Sequence, residues 1–65
     1  MRYRLQGSVS NVSRLMEDYG IVRPLKAFSS AHEILDVLVE VKRDDADDFE
    51  FSALEMSVSA MKEKE

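Results

Sequence analysis

Side chains able to do acid–base or covalent chemistry are scarce: His32 is the sole histidine, and no cysteine occurs among the 65 residues. Without a thiol or a second imidazole, the usual base–nucleophile pairings have almost no members. No serine sits in a Gly-x-Ser-x-Gly elbow, and Gly7 and Gly20, the only glycines, cannot build a phosphate-cradling loop. His32 stands two residues into a segment with a helix-start signature, the ordinary place of a surface or capping residue. The reading is therefore no catalytic residue, no cofactor and no enzyme. The missing cysteines also exclude disulfides and thiolate metal sites, and fit a cytosolic protein.

Oxygen ligands, by contrast, are plentiful. Asp44-Asp45-Ala46-Asp47-Asp48 is followed closely by Glu50. A calcium loop needs ligands at its first, third, fifth and twelfth positions and a glycine at the sixth. Counting from Asp44 puts Asp48 fifth and Glu55 twelfth, but Ala46 third and Phe49 sixth; counting from Asp45 puts Met56 twelfth. No metal site is expected.

What remains is charge. Residues 33–65 hold eleven acidic and four basic side chains (net −7), and residues 1–32 hold five basic and two acidic (net +3), for −4 in all. A field this lopsided steers association with charged partners. Asp44, Asp45, Asp47, Asp48 and Glu50 read as a protein-binding surface, with a merely solvated turn as the plainer alternative. Clustered carboxylates can imitate nucleic acid, where DNA presents one charge per roughly 1.7 Å. The partner is then a larger protein or complex with a basic nucleic-acid channel, by analogy of size and charge with small phage-encoded inhibitors. Arg2, Arg4 and Arg23, with Lys26 alongside, form a second charged patch. It could contact phosphates, although the net charge of −4 and the lack of interleaved aromatics speak against a nucleic-acid binder. The same arginines could pair with the acidic end of a second copy in a homodimer.

The elements that must position these groups are short. Tyr3, Leu5, Gly7 and Val9 alternate with Arg2, Arg4, Gln6, Ser8 and Ser10, which predicts a strand over 2–10. Val12, Leu15, Met16 and Tyr19 fall on one helical stripe over 11–19, capped by Ser10 or Asn11 and ended by Gly20-Ile21. Residues 21–28 read as a second strand, confined to an edge by Pro24. Ser30-Ala-His-Glu33 has the capping-box form, favouring a helix over 30–42. Leu35, Val37, Val39 and Val41 also alternate, so a strand competes there. Residues 44–48 read as an acidic loop. Phe49, Phe51 and Ala53, then Leu54, Met56, Val58 and Ala60, read as a strand over 49–60 with a bulge at 53–54, and 61–65 as a frayed charged tail.

The order strand, short helix, Gly20-Ile21, strand resembles the opening of ferredoxin-like modules, among them the ACT ligand sensors. The likeness rests on the Gly-Ile step and carries over no ligand-binding residue; it implies a small-molecule-sensing regulatory module as an alternative function.

These readings converge on one α+β domain, 1–65: a three-stranded sheet, four-stranded if 34–43 is a strand, packed by one or two short helices. No apolar run of signal-peptide or membrane-spanning form is present, since Asp36 and Glu40 interrupt Ile34–Val41. The untagged start at Met1 suggests a complete short reading frame and a free cytoplasmic protein. The function expected is that of a non-enzymatic inhibitor or adaptor of a larger assembly.

Overall fold

The computed structural model describes residues 1–28 and 33–64. β1 (Arg2–Ser8) runs directly into α1 (Val9–Asp18), followed by β2 (Lys26–Ala27) and β3 (Ile34–Glu40). A 3₁₀ turn (Arg43–Asp45), α2 (Ala46–Glu55) and β4 (Ser59–Glu63) complete the chain. The sheet is antiparallel in the order β2-β3-β1-β4, so each helix links strands that are not neighbours, the split βαβ connectivity of ferredoxin-like modules. This is the α+β class expected from sequence, with four strands and two helices.

β1 behaves as its alternation requires. Tyr3, Leu5 and Gly7 lie opposite Val39, Val37 and Leu35 on β3 and form the helix-covered face. Arg2, Arg4 and Gln6 line the uncovered face. The first helix starts two residues earlier than expected because Ser8, not Ser10 or Asn11, caps it; the Ser8 Oγ accepts from the Asn11 backbone N–H at 3.1 Å. Val12, Leu15 and Met16 are buried as the stripe predicts. Gly20 adopts φ 67°, and the Ile21 and Gly20 N–H groups bond Met16 and Glu17 carbonyls, a Schellman ending.

Between residues 21 and 28 only Lys26 and Ala27 form β2, where a longer strand was expected. Pro24 offers no N–H, and Ile21 is held back on α1 by its bond to Met16.

Two segments exchange their expected identities. Residues 34–40 are a strand, not a helix. They form a central strand with neighbours on both sides, where valines pack well, and Val37 and Val39 are buried. Residues 30–32 of the capping box, His32 included, lie outside the described residues. Conversely, residues 46–55, expected as a loop and a bulged strand, are helix. Ala46, Phe49 and Ala53 recur at helical spacing and are buried. Their period is obscured in sequence by Phe51 and Leu54, which are 62% and 75% exposed. The Val58 and Ser57 N–H groups bond the Ala53 and Leu54 carbonyls, repeating the ending of α1. Ser57 occupies the left-handed position at φ 58°, so the glycine that marks such endings is absent. Strand β4 starts only at Ser59 and continues through Glu63, into the stretch expected to fray.

The core is aromatic at its centre. Phe49 lies 5.2 Å from the Tyr3 ring and 5.2 Å from Tyr19, the latter edge-on. Tyr19 Oη and Ser52 Oγ are 2.8 Å apart, and Asn11 Nδ2 donates to the Met56 carbonyl at 3.0 Å, so α1 and α2 are clasped at both ends of their contact.

Candidate protein-binding surface

The five acidic residues singled out in sequence are brought together by one continuous rod, the 3₁₀ turn running into α2. Asp44 and Asp45 belong to the turn, and Asp47 and Asp48 to the first helical turn. Their location has a local cause. The first N–H groups of a helix leave a partial positive charge that carboxylates stabilise, whereas Asp45, at the cap position, makes no side-chain cap bond. The acidic stretch is thus a helix start rather than a loop.

The members then diverge. Asp44, Asp47 and Asp48 are exposed, and none makes an ion pair among the described residues. Asp45 is half-buried at the turn. Glu50 is also exposed but is tied to the core: its Oε2 accepts the Tyr3 hydroxyl at 2.5 Å. Burial of the phenol, then this hydrogen bond and the charges of Glu50 and Asp47, push the Tyr3 pKa up to about 12. A carboxylate beside a protonated phenol holds the phenolic proton.

The second patch, Arg2, Arg4 and Arg23, is dispersed. Arg4 donates to both Asp36 carboxylate oxygens, Nε to Oδ1 at 2.9 Å and Nη2 to Oδ2 at 2.8 Å, and lies 4.0 Å over the Phe28 ring. Gln6 adds a third bond to Asp36 at 3.0 Å. Hydrogen bonding to Arg4 outweighs desolvation and holds the Asp36 carboxyl below its usual range. Glu40 takes the terminal ammonium of Met1 at 2.7 Å and Arg2 at 3.6 Å, and the ammonium contact is the main cause of its lowered pKa. Arg23 stands apart, exposed in the loop after α1.

Two features of this surface were not anticipated. Asp36 is 8% exposed on the uncovered sheet face, and the signal for it was a lone carboxylate within an apolar run, two-residue periodicity placing it with Arg4 and Gln6. Phe51 and Leu54 stand on the outward face of α2 among Asp47, Asp48 and Glu55. With Glu50, Ala53, Val58, Ser59 and Ala60 they line an open groove of about 470 Å³ between α2 and β4. Among the described residues no three acidic or histidine side chains converge as a metal site would require, and no helix is long and apolar enough to cross a membrane. Compared with protein-family models, curated proteins and solved structures, the chain matches none.

Proposed function

We propose that this chain is a non-enzymatic protein-binding module, an inhibitor or adaptor of a larger cytoplasmic assembly, which it engages through the acidic start of α2. The supporting observation is the fate of the charges. Arg2 and Arg4 are paired within the chain, with Glu40 and Asp36, while Asp44, Asp47 and Asp48 face solvent together with no cation paired to them among the described residues. Carboxylates held on a helix end cost little entropy to align with a basic surface, and their field raises the encounter rate.

The row from Asp44 to Glu50 spans about 10 Å at helical rise, three phosphate intervals of one DNA strand at roughly 3.4 Å each. That length suits a compact cluster of lysines and arginines; as a nucleic-acid mimic it would fill only a short part of a basic channel. The test is capture of partners from the native host with three forms of the protein. Asp47→Ser/Asp48→Ser should lose the captured partner and flatten the salt dependence, while Asp47→Glu/Asp48→Glu, which keeps the charge, should retain both. Equal capture by wild type and the serine variant, with the same salt slope, rejects this reading.

A second reading draws on the split βαβ connectivity. A cleft of about 330 Å³ lies between the α1–β2 loop and the end of β3, with Arg23, Lys42, Glu40 and Asp45 in its lining. Charges of both signs suit a small zwitterion, as in a ligand-sensing module. Thermal stabilisation by a free amino acid, abolished by Arg23→Ala, would favour this reading; a melting temperature unmoved by the full amino-acid set would dismiss it.

A further inference from the structure

We infer that the outer edge of β4 is a self-complementary interface that joins two copies of this chain into a continuous eight-stranded sheet. Among the described residues β4 pairs only with β1, so its other edge presents backbone groups with no partner there over five residues. Beside it stand three exposed apolar side chains, Phe51 and Leu54 on α2 and Met61 on β4, at 62%, 75% and 49% exposure. An edge of this kind is ordinarily blunted by an inward-pointing charge or a proline. Lys62 is such a charge: it lies opposite Tyr3 in the β1–β4 register, hence on the helix-covered face.

The register decides the partner. An antiparallel two-fold pairing that keeps all helices on one face must centre on a residue, and only centring on Met61 pairs all five residues of β4. Met61 then meets its own copy on the uncovered face, Glu63 meets Ser59, and Lys62 meets Ala60, with no like charges directly opposed. Ala60 is part of the groove that Glu50, Phe51 and Leu54 line. The incoming Lys62 therefore lays its aliphatic stem over Phe51 and Leu54 and brings its ammonium to the carboxylate of Glu50. Shifting the centre to Lys62 opposes two lysines. The charge that deters casual strand pairing thus selects one geometry. Asp44, Asp47 and Asp48 of both copies remain free, so the dimer carries two copies of the acidic helix start, with Glu50 alone drawn into the dimer contact.

This inference stands apart from the proposed function and is tested separately by sedimentation velocity and by cysteine cross-linking, which the absence of native cysteine makes clean. Wild type should show a concentration-dependent dimer. Lys62→Glu, an exposed substitution that sets like charges together, should weaken it about tenfold or more. Under mild oxidation Met61→Cys should form a covalent dimer, because directly opposed Cα atoms lie about 4.5–5.5 Å apart, within disulfide reach. Ser59→Cys, displaced along the strand from its own copy, should not. A wild-type monomer at several hundred micromolar, a dimer indifferent to Lys62→Glu, or cross-linking through residue 59 in place of 61 would each overturn the inference. None of these results bears on capture of a basic partner through Asp47 and Asp48.

Discussion

Alkaline pH should destabilise this protein through one buried phenol. Tyr3 is fully buried, and its hydroxyl donates to Glu50 at 2.5 Å. Its pKa rises from the ordinary 10.0 to about 12, chiefly through burial and then through Glu50. Between those two values the folded chain keeps a proton that the unfolded chain has released. Stability is thus undiminished below about pH 10 and declines as pH rises toward 12. At 1.36 kcal/mol per pKa unit, the full loss is at most about 3 kcal/mol, and roughly half of it is reached by pH 11. A core of this size supplies only about 3–5 kcal/mol, so this one proton decides much of the margin. Tyr3→Phe deletes both the titration and a hydrogen bond worth about 1 kcal/mol at neutral pH. Urea unfolding followed by circular dichroism, from neutral to strongly alkaline pH, should show the variant less stable at pH 7. Its curve should then meet that of wild type near about pH 11, where the two losses are equal. Parallel pH profiles for the two proteins would refute a raised Tyr3 pKa as the source of the alkaline loss.

Other substitutions probe the elements themselves. Phe49→Ala should cost about 3–5 kcal/mol and leave the chain largely unfolded, while Phe51→Ala in the monomer should change stability by only about 0.5 kcal/mol. Equal effects in urea unfolding would restore the strand reading, which puts both rings on one face. Ser57→Gly should stabilise by about 0.5–1 kcal/mol by relieving the left-handed residue, read as a raised melting temperature; no gain would mean that the αL position carries no strain. The Arg4–Asp36 pair contributes stability that is present above the unfolded carboxylate pKa and lost as pH falls through the lowered folded value. Arg4→Gln should flatten that acid limb, and an unchanged limb in a pH titration of the urea midpoint would exclude the pair as its source.

By itself, the order of residues determined the first third of the molecule and the class of the whole. Strict alternation from Arg2 to Ser8 allows only one face of a strand to be apolar, and the stripe from Val12 to Tyr19 with Gly20 after it permits one helix and one ending. The absence of reactive side chains and the acidic excess after residue 32 are likewise properties of composition, and no fold could alter them. Residues 34–55 are different because their apolar side chains satisfy two periods at once. Ile34–Val41 has enough of them to line a helix or both sides of a strand, and a place between β1 and β2 settled it, since only there do valines gain neighbours on both edges. Phe49–Met56 could alternate or wind. Tyr3 and Tyr19 settled that, because winding the segment carries Phe49 between their rings and turns Phe51 outward. The same contacts decided which charges remain available: Arg4, conspicuous in the sequence as a phosphate ligand, is held by an aspartate thirty-two residues away, and the carboxylates at the start of α2 are left facing water. Periodicity is a local quantity, whereas the choice between two permitted periods depends on partners distant along the chain.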